Sequence, residues 1–125
     1  MRAAHLRRGS AGEKIARKFL SREGLVFLAA NYRCRCGEID LIMLEKDCLV
    51  FIEVRYRRSN AFGGALASVT ADKQIRLGRT ASHFLQHHRT LQDHSVRFDV
   101  VALSGRGRNL KIDWRQNAFL FDGIA

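Results

Sequence analysis

A chain of 125 residues is long enough for one hydrophobic core and too short for two. With 46% hydrophobic and 27% charged residues, wholesale disorder is excluded, and no run approaches the roughly 20 apolar residues that a membrane span needs. The formal net charge of +10, from 22 Lys and Arg against 12 Asp and Glu, favours polyanionic partners, with nucleic acid ahead of a merely solvated basic surface.

Arg outnumbers Lys, which suits bidentate contact to phosphate; composition does not separate DNA from RNA. The opening MRAAHLRRGS is basic but lacks the apolar segment of a signal peptide, so a cytoplasmic protein without a membrane partner is expected. Three cysteines, Cys34, Cys36 and Cys48, do not make a disulfide framework, and reduced thiols are expected. The Cys34 and Cys36 pair has no further Cys or His at a familiar zinc spacing.

Residues 1–9 read as a basic flexible arm and residues 10–125 as a single domain. Ser10 and Glu13 have the spacing of a capping box, and Ile15, Ala16, Phe19 and Leu20 form an apolar stripe that ends before Gly24, predicting a helix over 11–23. Residues 25–32 read as a first strand, followed by a polar turn over 34–37 that Arg33 and Arg35 flank.

The organising stretch is residues 37–58, GEIDLIMLEKDCLVFIEVRYRR. Apolar residues alternate through both halves, so two strands are expected, and the few residues between them demand an antiparallel hairpin. Three acids, Glu38, Asp40 and Glu53, interrupt these strands. A two-residue loop at Lys46 and Asp47 makes Asp40 face Glu53 and Glu38 face Arg55, whereas a three-residue loop puts Asp40 and Glu53 on opposite faces. Facing carboxylates have Cβ atoms about 4.5 to 5.5 Å apart and repel unless a cation intervenes. A divalent cation resolves that conflict.

Residues 56–64 read as a loop with Arg57 and Arg58 as phosphate contacts or ordinary loop charges. Thr70 can cap a second helix running to about His88, with Ile75, Leu77, Ala81, Phe84 and Leu85 facing the core and Lys73, Gln74, Arg76 and Arg79 on its first turns. His83, His87 and His88 are expected at the surface. VRFDVVAL, residues 96–103, is a strand with Asp99 at its centre. A glycine-rich turn, a short strand over 110–114 and a docked tail at Asn117, Ala118 and Phe119 follow.

GEKIA, GEIDLI, FIEVR, RFDVVAL and the terminal NAF, in that order over residues 12–119, closely resemble the YraN family of small, largely uncharacterised bacterial proteins. That resemblance implies an α/β fold with a restriction-endonuclease-like core, a mixed central β-sheet flanked by helices in the order α-β-β-β-α-β-β, similar to Holliday-junction resolvases. It implies a metal-dependent endonuclease that hydrolyses phosphodiester bonds in branched or structured DNA. Its alternative is a nucleic-acid-binding module whose nuclease site is weakened.

The resemblance maps Glu13, Asp40 and Glu53 onto acidic metal ligands and Arg55 onto the lysine of an E-x-K motif, with the backbone carbonyl of Val54 as a further ligand. Glu13 equally reads as a helix cap. The expected cofactor is Mg²⁺ or Mn²⁺, which carboxylate oxygens suit. Arginine in place of lysine is the departure, because a guanidinium stays protonated and cannot act as a base. Lys73 is the best candidate to fill that gap, with Lys46 and Lys14 as alternatives, and Arg33, Arg57, Arg58, Lys73 and Arg76 are the expected nucleic-acid contacts. DNA is the expected partner, and a homodimer is left open.

Overall fold

The computed structural model describes residues 2–57 and 69–120, with side chains from residue 11 onward. Its elements are α1 (Arg2–Arg22), β1 (Val26–Cys34), β2 (Gly37–Glu45), β3 (Cys48–Arg57), α2 (Ala71–Gln86), β4 (Ser95–Ser104) and β5 (Lys111–Phe119), with short 3₁₀ turns at Arg89–Leu91 and Gly107–Asn109. The fold is α/β, with the predicted order of elements. Arg58 and most of the predicted loop over 56–64 lie outside the described residues.

The sheet runs β1-β2-β3-β4-β5. Its first three strands are antiparallel neighbours, β3 and β4 are parallel, and β5 returns antiparallel. Tight turns suffice for the antiparallel pairs. The parallel pair needs a crossover, which contains α2. One helix covers each face of the sheet, so β2 to β4 are buried on both sides and read as nearly continuous apolar runs.

On the α1 face, Ala16 and Leu20 pack on Leu41, Met43, Val50, Ile52, Val101 and Leu103. On the α2 face, Leu77, Ala81, Phe84 and Leu85 pack on Ile42, Leu49, Phe51, Phe98 and Val100. Phe51 is stacked on Phe98 at 5.4 Å and meets Phe84 edge-on at 5.9 Å. Truncating so enclosed a ring typically costs about 3 to 5 kcal/mol.

Helix α1 starts earlier than the capping box predicts. Ser10 lies inside it, because the upstream alanines, arginines and leucine are themselves good helix formers. It stops at Arg22, where Gly24 takes a φ of 102° and Leu25 N–H returns to Leu20 O at 3.1 Å, a glycine-closed end. Helix α2 begins as expected: Thr70 is the N-cap, and its hydroxyl accepts the Lys73 N–H at 3.3 Å.

Candidate metal and phosphate site

The β2–β3 hairpin turns through Lys46 and Asp47, with Lys46 at a φ of 53°. Leu41 pairs with Ile52, Ile42 with Phe51 and Leu44 with Leu49. One step further along the same register brings Asp40 opposite Glu53. Glu53 follows the alternation of Phe51 onto the face covered by α2; in β2 the alternation breaks, since Ile39 joins Ile42 on that face while Leu41 lies on the other, and Asp40 lines the cleft under α2 beside Glu53.

The paired ladder ends at Leu41 and Ile52, and beyond it a side chain replaces a strand partner: Val54 N–H donates to Asp40 Oδ2 at 2.8 Å. In an extended strand the N–H and C=O of one residue point to the same side, so the Val54 carbonyl also faces β2. A cleft of about 180 Å³ lies there, walled by Gly37, Glu38, Asp40 and Glu53 from the sheet and by Lys73, Arg76 and Leu77 from α2. Gly37, at a φ of 153°, allows the close approach of the helix. A Cβ at this position would stand 3.2 Å from Thr80 Oγ1.

Glu53 is the electrostatic centre. Its Oε2 meets Arg55 Nη2 at 2.8 Å and Lys73 Nζ at 3.1 Å, while its side chain is only 8% exposed. Burial nevertheless raises its pKa, against the pull of Arg55 and of a hydrogen bond with Asp40. Asp40 has no such cations. Burial first, and the charge of Glu53 second, push its pKa up to about 8, with the Val54 N–H pulling weakly the other way. The two carboxyls are therefore close enough to share a proton, and at neutral pH Asp40 holds it.

The expected site residues divide. Asp40, Glu53, Arg55, Lys73, Arg76 and the Val54 backbone converge on the cleft or on the carboxylates that line it. Glu13 stands apart: Asn31 Nδ2 donates to its Oε2 at 2.9 Å, and its charge is the weakest influence on Asp40. Among the described residues no three His, Cys, Asp or Glu side chains are grouped to hold a metal. Arg33 pairs with Glu38 across β1 and β2 at 3.3 Å, which takes Glu38 away from the expected Arg55. That pair is largely exposed and contributes little.

Arg57 is half-buried at the end of β3, and its Nε, like that of Arg55, is a buried donor without an acceptor among the described residues. Asp99 is fully buried away from the cleft. Its carboxylate accepts Arg97 Nε at 3.0 Å, Trp114 Nε1 at 2.9 Å and Asn117 N–H at 2.9 Å, so it is a structural anchor. The packing of the 34–37 turn on Thr80 was not foreseen. Only Gly37, a glycine just ahead of an acidic strand, hints at it.

The donor set suits a hard divalent ion. Two carboxylates and a backbone carbonyl are oxygen donors of the kind that hard divalent ions take, and burial with the neighbouring Glu53 charge raises the Asp40 pKa.

The family model described as uncharacterised protein family UPF0102 matches residues 12–103. A UPF0102 protein of Nitrosomonas europaea is 54% identical over 112 residues, covering 90% of this chain and 92% of its own. One from Stutzerimonas stutzeri is 48% identical over 89% of this chain and 92% of its own, and one from Alkalilimnicola ehrlichii 46% identical over 97% and 93%. The match spans both helices and the strands between them. Among the described residues no helix is long and apolar enough to cross a membrane.

Proposed function

For a chain that belongs to the uncharacterised protein family UPF0102, the family that the sequence motifs resemble, we propose metal-dependent hydrolysis of phosphodiester bonds in branched or structured DNA. The observation that carries this reading is the facing pair of Asp40 and Glu53 in a cleft that Lys73 and Arg76 wall from α2. The two carboxylates and the Val54 carbonyl would hold Mg²⁺ or Mn²⁺. A bound ion of this kind lowers the pKa of water and offsets negative charge building on the phosphate.

The chain's own cations do the rest. Lys73 Nζ donates to Glu53 Oε2, which supports a role for it in orienting the carboxylate and meeting the incoming phosphate in place of a lysine from β3. Arg55 stays protonated and holds the same Glu53 oxygen as Lys73. The unpaired Nε donors of Arg55 and Arg57 gain acceptors when phosphate oxygens arrive; a buried donor without one costs about 1 to 3 kcal/mol.

Arg55 also favours a second reading, a DNA-binding module without cleavage, because its guanidinium cannot take a proton. Incubating the protein with four-way-junction, flapped and single-stranded DNA in Mg²⁺ or Mn²⁺ separates the two. Hydrolysis by the wild type, lost in Asp40→Asn at unchanged binding and accelerated in Arg55→Lys, supports the nuclease. Binding without hydrolysis by all three supports the module and overturns the nuclease.

A further inference from the structure

The turn between β1 and β2 carries a second group of reactive side chains, independent of the carboxylates. Cys34 closes the turn by pairing with Gly37, and Arg35 and Cys36 form its tip. Cys36 N–H donates to Cys34 Sγ at 3.3 Å. The Cys36 thiol, the Gly37 N–H and the Thr80 hydroxyl of α2 also act on the same sulfur and lower its pKa. Thr80 is itself fully buried, and its hydroxyl donates to the Arg76 carbonyl at 2.8 Å.

We propose that Cys34 is a thiol-oxidation site that Cys36 resolves into an intrachain disulfide. The donors gathered on Cys34 favour its thiolate: burial pushes the thiol up, yet the hydrogen bonds outweigh it and hold it below the ordinary value. Cys36 behaves oppositely. Burial and the neighbouring sulfur keep its thiol protonated, with Arg79 close enough to draw it back down. Residues two apart in a tight turn fall within the Cα span that a disulfide needs. Cys48 differs, packing against the α1-side core with its thiol turned to the Leu49 carbonyl.

The chemistry balances with a hydroperoxide as oxidant. The Cys34 thiolate attacks the terminal peroxide oxygen, the O–O bond breaks, sulfur is oxidised to the sulfenic acid, and the peroxide is reduced to an alcohol, or to water when it is hydrogen peroxide. Cys36 sulfur then attacks Cys34 sulfur. The S–S bond forms, the S–O bond breaks, and the departing hydroxide leaves with the Cys36 proton as water. Two thiols and one hydroperoxide yield one disulfide, one alcohol and one water. The pair sits directly before Gly37 of the cleft wall and uses none of the residues assigned to the candidate nuclease site.

The test treats the full chain at pH 7 with one equivalent of hydrogen peroxide, followed by alkylation and peptide mass mapping. The expected product is two hydrogens lighter, with Cys34 joined to Cys36 and Cys48 reduced. In Cys36→Ser oxidation should stop at a sulfenic acid on Cys34, trapped by dimedone. Iodoacetamide should label Cys34 about tenfold faster than Cys48 in the untreated protein, and Thr80→Val should slow that labelling without slowing Cys48. Oxidation of Cys48 ahead of Cys34, a disulfide between two chains, or dimedone capture at Cys36 instead of Cys34 would overturn the proposal.

Discussion

Asp40 is half-buried with the Glu53 carboxyl as its neighbour, and among the described residues no cation pairs with it. A carboxyl whose folded pKa lies above its unfolded value destabilises the native state once it ionises. For Asp40 that penalty is absent below about pH 3.8, grows as the pH rises, and is complete above about pH 8. Asp40→Asn keeps an oxygen for the Val54 N–H but cannot ionise. Without metal, this variant should be more stable than the wild type at pH 9, by on the order of 2 kcal/mol, and no more stable at pH 4. Urea midpoints at the two pH values check this. An Asn variant less stable at pH 9 would mean that the carboxylate is satisfied as an ion.

Strand β5 shows how a buried acid can be structural instead. Its Trp114 indole and Asn117 N–H converge with Arg97 on Asp99, and Arg97 also reaches Glu45 at 2.7 Å, so one carboxylate ties β5 to β4 and β2. Asp99→Ala leaves the Arg97 guanidinium, only 15% exposed, with Glu45 as its remaining acidic partner and strands two further donors. It should cost about 3 to 5 kcal/mol in urea unfolding; a loss below about 1 kcal/mol would deny the anchor.

The same element marks a limit of the sequence. A strand ending at 114 and a tail are the natural reading. In the structure a register shift between Phe98 and Val100, with Asn117 at a φ of 51°, lets β5 continue to Phe119. Alternation could not choose the hairpin loop length either, because Lys46 and Asp47 lack the Asn-Gly or Asp-Gly signature that would have announced a two-residue turn. Once that turn is known, the period of two places Glu53 with Phe51, but in β2 it breaks beside Asp40, where Ile39 and Ile42 share a face that Leu41 leaves. The approach of Lys73 followed from resemblance, by the expectation of a lysine that Arg55 does not supply. The Glu13 bond to Asn31 crosses from helix to sheet and has no signal in local spacing.

In the whole molecule a net charge of +10 accompanies a cleft lined by three acids, Glu38, Asp40 and Glu53, so attraction of a polyanion and retention of a cation are separable properties. Binding to duplex or branched DNA should weaken with salt, each neutralised phosphate contributing a slope of about −0.9 in log affinity against log salt. Replacing Arg57 and Arg76 by Ala should flatten that slope by about one to two such contacts. Affinity indifferent to salt would remove the phosphate interface.

The central claim, a divalent cation between Asp40 and Glu53, is tested most directly by calorimetric titration of Mn²⁺ into the full chain at pH 7, repeated in buffers of different ionisation enthalpy. With Asp40 titrating at about 8, the wild type should bind one ion and release close to one proton, roughly 0.9, and Asp40→Asn should lose both the binding and the release. Heat without proton release, or Mn²⁺ binding unchanged by Asp40→Asn, would contradict it.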